Sequence, residues 1–182
     1  MYVYVLRHEA RGRDASYNST LTKQGLSYSI NLADRLKKLD IGTIYCSPFV
    51  RAIQTIHPYS VKNNVKINID FALIEYIAYP EILDKSFHVT FTDNELDYWN
   101  INPTYISSVK LEDLSMGKYN FCEASSHIDC RTGEFLDVLK RYINGIDGNV
   151  LIVSHQATIS SLWKHIHSRD RELDMGEIDR LM

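Results

Sequence analysis

Val150-Leu151-Ile152-Val153 is an unbroken run of β-branched residues and leucine, and Ser154-His155 follows it directly. An alternating strand can leave one face in water, but this one has no polar face to leave there. A continuous apolar strand of this length is the mark of a strand covered on both sides, as in sheets with helices on either face. The neighbouring segments agree. Tyr2 to Leu6 and Thr43 to Cys46 are short β-prone runs, and residues 67–75 have extended character. Between them lie helical patterns. Residues 22–39 carry Leu26, Ile30, Ala33 and Leu36 at helical spacing, with Thr22 placed to cap the start. Ser47-Pro48 pairs an N-cap residue with proline at a first helical position, and this helix is expected to end near His57 because Pro58 follows. Ile128, Phe135, Leu136, Leu139 and Ile143 define another helix, stopped by Gly145. Gln156 to Ile166 define the last, with Ile159, Leu162, Trp163 and Ile166 on one side.

Strands alternating with helices predict an α/β fold: a mostly parallel sheet sandwiched by helices. The pattern dissolves between residues 76 and 123, where Tyr79, Phe87, Phe91, Tyr98, Trp99 and Tyr105 lie among acidic and turn residues. This stretch is expected to form an irregular, lid-like insertion. With 182 residues, no repeat and no linker, the chain reads as one domain, 1–182.

Charge and cysteine usage exclude several classes. The net charge of −3 argues against a protein that coats nucleic acid or anionic lipid. The charge is uneven, however: residues 1–70 hold ten Lys/Arg against five Asp/Glu, and residues 71–130 hold three against ten. An anion is therefore drawn to the N-terminal third. No apolar run approaches membrane-spanning length, and Met1 to Leu6 lacks the flanks of a signal peptide. Cys46, Cys122 and Cys130 form no C-x-x-C pair, which predicts reduced thiols and a cytoplasmic setting.

Three polar clusters fall immediately after strands: Arg7-His8, Ser47-Pro48-x-x-Arg51 and Ser154-His155. Ligands of open α/β sheets gather beyond the carboxyl ends of strands, where helix N-termini favour anions. Arg51 lies in the first turn of its helix, and helical side chains lean toward the N-terminus, so it can reach the same place. Two arginines and two histidines converging there describe a phosphate site, since the guanidinium fork binds two phosphate oxygens at once. Neutral imidazole is a competent nucleophile near pH 7, and a second imidazole can steady the equatorial oxygens. His57, His88, His127, His165 and His167 are assigned to the surface or core. No His, Cys, Asp or Glu cluster has metal-ligand spacing, so no metal or organic cofactor is expected.

In order and spacing these motifs resemble the histidine phosphatase (phosphoglycerate mutase-like) superfamily. The match includes Arg7-His8, Leu21-Thr22-x-x-Gly25, Ser47-Pro48-x-x-Arg51-x-x-x-Thr55, Leu73-Ile74-Glu75, the pair Glu123 and Arg131, and Val150 to His155. The resemblance implies that His8 is the phosphorylated nucleophile. Arg7, Arg51 and His155 complete the phosphate pocket, with Gln156 offering its backbone N–H, and Glu75 is the proton donor. The implied activity is a metal-independent phosphatase acting on a small-molecule or peptide phosphate monoester. The rival readings are a mutase and a catalytically inactive domain that binds a phosphorylated ligand or a protein. Two positions depart from the family. Glu9 stands where glycine usually follows Arg-His, and it is expected to pair with Arg11 or Arg13. Gln156 stands where glycine often follows the second histidine. Glu81 is the rival to Glu75 as the acid.

Overall fold

The computed structural model describes residues 1–13, 16–76, 90–111 and 125–182. Its strands are β1 (Val3–Arg7), β2 (Ile41–Cys46), β3 (Ile67–Ile69), β4 (Asn149–Ser154) and β5 (Ile178–Arg180). The helices are α1 (Lys23–Leu36), α2 (Val50–Asn63), α3 (Asp93–Tyr98), α4 (Ser125–Tyr142) and α5 (Gln156–His167). The sheet order is β3-β2-β4-β1-β5. β4 runs parallel to both neighbours, and among the described strands only β5 is antiparallel.

The apolar run of β4 is buried throughout, as a central strand requires. Val150 and Ile152 join Val3, Val5 and Tyr45 under Phe135 and Leu139 of α4 and Leu162 and Trp163 of α5. Leu151 and Val153 point the other way, joining Leu6, Ile44 and Cys46 beneath Leu32 and Leu36 of α1 and Ile53 and Ile56 of α2. The period-2 alternation of strand side chains thus feeds two cores from one strand. Phe135→Ala should cost about 3–5 kcal/mol of stability, because the ring leaves a cavity that the rigid sheet cannot close. Chemical denaturation would measure it, and a loss below about 1 kcal/mol would show that α4 does not seal that core.

Three local expectations are corrected. α1 presents Gly25, Ser29, Leu32, Ala33 and Leu36 to the core, whereas Leu26 and Ile30 are 41% and 62% exposed. The helix is rolled toward its small residues, which lets its first turn lie against the backbone at Ala10. A Cβ at Gly25 would overlap the Ala10 carbonyl oxygen. α2 does not stop before Pro58 but continues to Asn63, with Asn64 in the left-handed conformation as its cap. An internal proline costs roughly 3 kcal/mol, and tertiary contacts beyond it offset this. Tyr59 is buried with its hydroxyl on Ile41 O (3.1 Å), and Ser60 donates to Val65 O (2.8 Å). The helix itself begins at Val50 behind Phe49, so Ser47-Pro48 precedes it; the Ser47 hydroxyl accepts the Phe49 N–H at 3.3 Å.

The stretch read as irregular contains α3, whose start is a capping box between Thr92 and Glu95. Ile101 is buried and bridges to Ile67 at the sheet edge. Buried Asp70 at the end of β3 gathers the Tyr105 hydroxyl (2.6 Å) and the Ser108 N–H (2.9 Å) and hydroxyl (2.8 Å). Residues 90–111 are therefore anchored to the sheet. Residues 77–89 and 112–123 of the expected lid, including Glu81, His88, Cys122 and Glu123, lie outside the described residues. Among the described residues no helix is long and apolar enough to cross a membrane.

Candidate active site

β1, β2 and β4 are adjacent and parallel, so their carboxyl ends meet on one edge. The register sets Arg7 against Ser154 and Cys46 against Val153. The next residues are clamped by two bonds: His8 N–H to Ser154 O (3.0 Å) and Ser47 N–H to Val153 O (3.0 Å). His8 and His155 become neighbours as a result, with ring centroids 5.1 Å apart.

The Leu-Thr-x-x-Gly motif holds the loop after His8. Thr22 caps α1 by accepting the Gly25 N–H, and its own N–H and hydroxyl both donate to Ala10 O, at 2.9 and 3.2 Å. Thr55 pins the same loop from α2, accepting the Glu9 N–H at 3.0 Å while donating to Arg51 O at 2.8 Å. His8 is buried, and its Nδ1 lies 2.8 Å from Glu9 O. A carbonyl can only accept, so Nδ1 carries the proton and Nε2 keeps its lone pair.

His155 is fully buried between Ser47 and Glu75. Its Nε2 is 2.8 Å from the Ser47 hydroxyl, and its Nδ1 is 3.3 Å from Glu75 Oε2. The same carboxylate oxygen lies 3.6 Å from Arg51 Nη2. Arg51 is itself buried over the Phe49 ring, with its carbon 4.5 Å from the centroid, and donates to Ser16 O at 2.9 Å. Glu75 sits on a turn whose carbonyls are all taken. Buried Arg131 donates to Ala72 O and at 3.4 Å to Glu75 O; Ser154 Oγ donates to Leu73 O (2.7 Å) and Thr158 Oγ1 to Ile74 O (2.6 Å). The supporting roles of Ser154 and Thr158 have no signature in the sequence, because they exist only once β4, α5 and the 72–75 turn are packed together. Arg131 stands where the family pattern places an arginine, while its companion Glu123 lies outside the described residues.

Arg7 and Gln156 are turned to a neighbouring recess. Arg7 Nη1 donates to Leu173 O at 2.7 Å. The Gln156 amide binds Arg171 O (2.8 Å) and the Leu173 N–H (2.9 Å). Both residues line one cavity together with Arg171 and Glu177. Gln156 also lines a cavity of about 660 Å³ beside Glu75, walled by Asp129, Asp170, Glu172 and Lys164. Glu9 is buried with its carboxylate against Gly176, where any Cβ would overlap it, and the cation acting on it is Arg35 rather than Arg11 or Arg13.

Burial, reinforced by His155 and Arg51, lowers the His8 pKa to about 3. Burial likewise lowers His155 to about 4, against the opposing pull of Glu75. Burial pushes Glu75 up, but His155, Arg51 and the Tyr76 N–H outweigh it and hold the carboxyl at about 2. At neutral pH both imidazoles are uncharged and the carboxylate is ionised. A histidine with a lowered pKa binds fewer protons folded than unfolded. Its contribution is complete above the ordinary histidine value of 6.5 and is lost as pH falls toward the folded values of about 3 and 4. Stability should therefore fall from about pH 6.5 to 4.5, by up to about 1.4 kcal/mol per pH unit for each imidazole, and the melting temperature should fall with it. His155→Gln should flatten that dependence. Equal slopes for the native protein and this variant in thermal melts would contradict the assigned burial.

The sequence spacing of His8, Glu75 and His155 conceals a further property. They offer one ligand atom each, all within 4.8 Å of one another, a proximity that their positions along the chain do not reveal.

Solved structures share this fold across nearly their whole length. Alpha-ribazole phosphatase from Shigella flexneri is 17% identical, with a TM-score of 0.67 over 98% of this chain and 88% of that one. A mycobacterial glucosyl-3-phosphoglycerate phosphatase, solved with inorganic phosphate, is 14% identical, with a TM-score of 0.68 over 98% and 87%. Phosphoglycerate mutase from Bacillus anthracis is 19% identical, with a TM-score of 0.66 over 99% and 86%. No curated protein sequence matches the chain. At such identities these likenesses establish the fold alone. The family description "histidine phosphatase superfamily (branch 1)" matches residues 3–177, and the chain belongs to that superfamily.

Proposed function

We propose that the protein is a phosphatase that hydrolyses a phosphate monoester through a phosphohistidine at His8. The observation that carries this reading is the His8 tautomer. The Nδ1–H bond to Glu9 O leaves the Nε2 lone pair available within a cluster of Arg51, His155 and Glu75. Nε2 attacks phosphorus, the P–O bond to the leaving group breaks, and Glu75 delivers a proton to the departing oxygen. Arg51 and His155 meet the charge on the equatorial oxygens. Water then attacks the P–N bond, giving its proton to Glu75 and releasing phosphate and neutral His8. The substrate is a small molecule or peptide carrying a phosphate monoester.

The ionised Glu75 needs a source for its proton. The monoester supplies it: its second pKa is near 6, so below that pH it enters as a monoanion carrying one proton. An arriving phosphate also takes up the positive field of Arg51, which weakens the hold on the ionised carboxylate.

Hydrolysis is favoured over a mutase by the cavity beside Glu75. Among the described residues that line it, Asp129, Asp170 and Glu172 face one cation, Lys164, a poor setting for a second phosphate. Catalytic inactivity was suggested by Glu9 alone, and its carboxylate is directed at Gly176 and Arg35. Purified protein in EDTA should release phosphate from p-nitrophenyl phosphate and from members of a panel of phosphorylated metabolites and phosphopeptides. Absence of turnover on every compound, or an isomerised phosphate ester as the product, would refute the reading.

A further inference from the structure

The three residues assigned to the phosphoryl-transfer centre also carry the donor set of a transition-metal site. We propose that His8, Glu75 and His155 bind a divalent ion of the Zn²⁺ class, and that its occupancy shuts off the phosphatase reaction assigned to the same pocket. This inference rests on that reading for its consequence but not for the binding itself.

The donor chemistry fits. Two imidazoles and one carboxylate, with a fourth position open, form a recurrent zinc set. Tetrahedral ligands at about 2.0–2.1 Å from zinc lie about 3.3–3.5 Å from one another. Glu75 Oε2 and His155 Nδ1 already stand 3.3 Å apart, and the third ligand atom lies within 4.8 Å of both. A modest rotation of the His8 ring completes the set.

The outer groups fit as well. Metal-bound histidines give their other ring N–H to an oxygen, which fixes the tautomer and raises ligand basicity. His8 does this now, through Nδ1 to Glu9 O at 2.8 Å. His155 has the Ser47 hydroxyl at 2.8 Å from Nε2. A hydroxyl accepts as readily as it donates. The His155 proton can therefore sit on Nε2, with Nδ1 and the carboxylate both turned to the metal. His8 and His155 are buried and held by strand ends, so the site is largely preformed.

Arg51 opposes the ion, because its Nη2 is 3.6 Å from the same Glu75 oxygen. The guanidinium thus decides between two occupants. It attracts the phosphoryl anion and repels the metal cation. Removing its charge must shift the two affinities in opposite directions, which no merely structural role would produce. A metal at His8 also blocks turnover outright, since it consumes the Nε2 lone pair needed for attack on phosphorus.

The test is calorimetric titration of Zn²⁺ into EDTA-stripped, desalted protein, run beside vanadate. One equivalent should bind the native protein. Glu75→Gln and His155→Asn should each weaken Zn²⁺ at least tenfold, while His165→Asn, on the outer face of α5, should leave it unchanged. Arg51→Gln should strengthen Zn²⁺ severalfold and weaken vanadate at least tenfold, with circular dichroism confirming that each variant is folded. Hydrolysis of p-nitrophenyl phosphate should proceed in EDTA, stop on addition of Zn²⁺ and return with excess chelator. Zn²⁺ that fails to bind, or that binds Glu75→Gln as tightly as native protein, overturns the inference while leaving hydrolysis in EDTA to support the phosphatase reading. Hydrolysis that requires Zn²⁺ overturns both.

Discussion

His8→Ala should lower kcat/KM on any phosphate monoester by about 10⁴-fold or more, and should abolish the covalent intermediate. Loss of a nucleophile removes the low-energy route altogether, whereas the remaining Arg51 and His155 can still bind phosphate. In native protein quenched during turnover of labelled substrate, the label should be stable in base, labile in acid and located on His8. The geometry supplies a specific competitor. The Ser47 hydroxyl lies 2.8 Å from His155 Nε2, and His155 Nδ1 lies 3.3 Å from Glu75, which is the order of a serine–histidine–acid relay. Ser47 is completely buried and its oxygen already accepts the Phe49 N–H, so it is a poor candidate to meet a substrate. An acid-stable label on Ser47, or turnover that survives His8→Ala and disappears in Ser47→Ala, would replace His8 with the serine.

The second large effect is expected at Glu75 and depends on the leaving group. Glu75→Gln should reduce turnover of alkyl phosphates by 10²–10⁴-fold, the usual range for a general acid. The rate of the first step with p-nitrophenyl phosphate should fall much less, since nitrophenolate departs almost unaided. Phosphoenzyme should then accumulate, because the same carboxylate is needed to activate water, and nitrophenol release should show a burst. Native kcat/KM should decline above about pH 6, where the monoester loses the proton that Glu75 needs. It should remain steady down to about pH 4, because His8, at about 3, stays neutral there. That limb has the sign of a lost acid and belongs to substrate and carboxylate together. If Glu75→Gln treats both substrates as the native protein does, the donor lies elsewhere, and Glu81→Gln is the variant to measure next.

Much of the site was legible because its chemistry is stored in residues that follow strands. The burial of Val150 to Val153 on both faces could be read from composition, and from it followed a central parallel strand with a ligand edge at Ser154-His155. Arg7-His8 and Ser47 to Arg51 occupy the corresponding places, so the convergence of His8, Arg51 and His155 is a consequence of strand order. Local signals failed where packing outweighed them. Pro58 marked a helix end, but the burial of Tyr59 and Ser60 carried α2 past it. Leu26 and Ile30 had the right spacing for a core face, yet Gly25 and Ser29 won it, because only small side chains allow α1 to approach Ala10.

The sequence alone determined the layered α/β architecture, the position of His8 after β1 and the family pattern that brings Glu75 to notice. Each of these depends on residue type and on spacing along the chain, which are one-dimensional facts. Only the tertiary structure decided the proton position on His8, the orientation of Glu9 toward Gly176 and the commitment of Arg7 and Gln156 to Leu173. It alone brought residues 8, 75 and 155 within reach of a common ion. Those features rest on distances between groups far apart in the chain. A hydrogen bond or a ligand set holds or fails over less than an ångström, and no spacing in the sequence encodes a length that short.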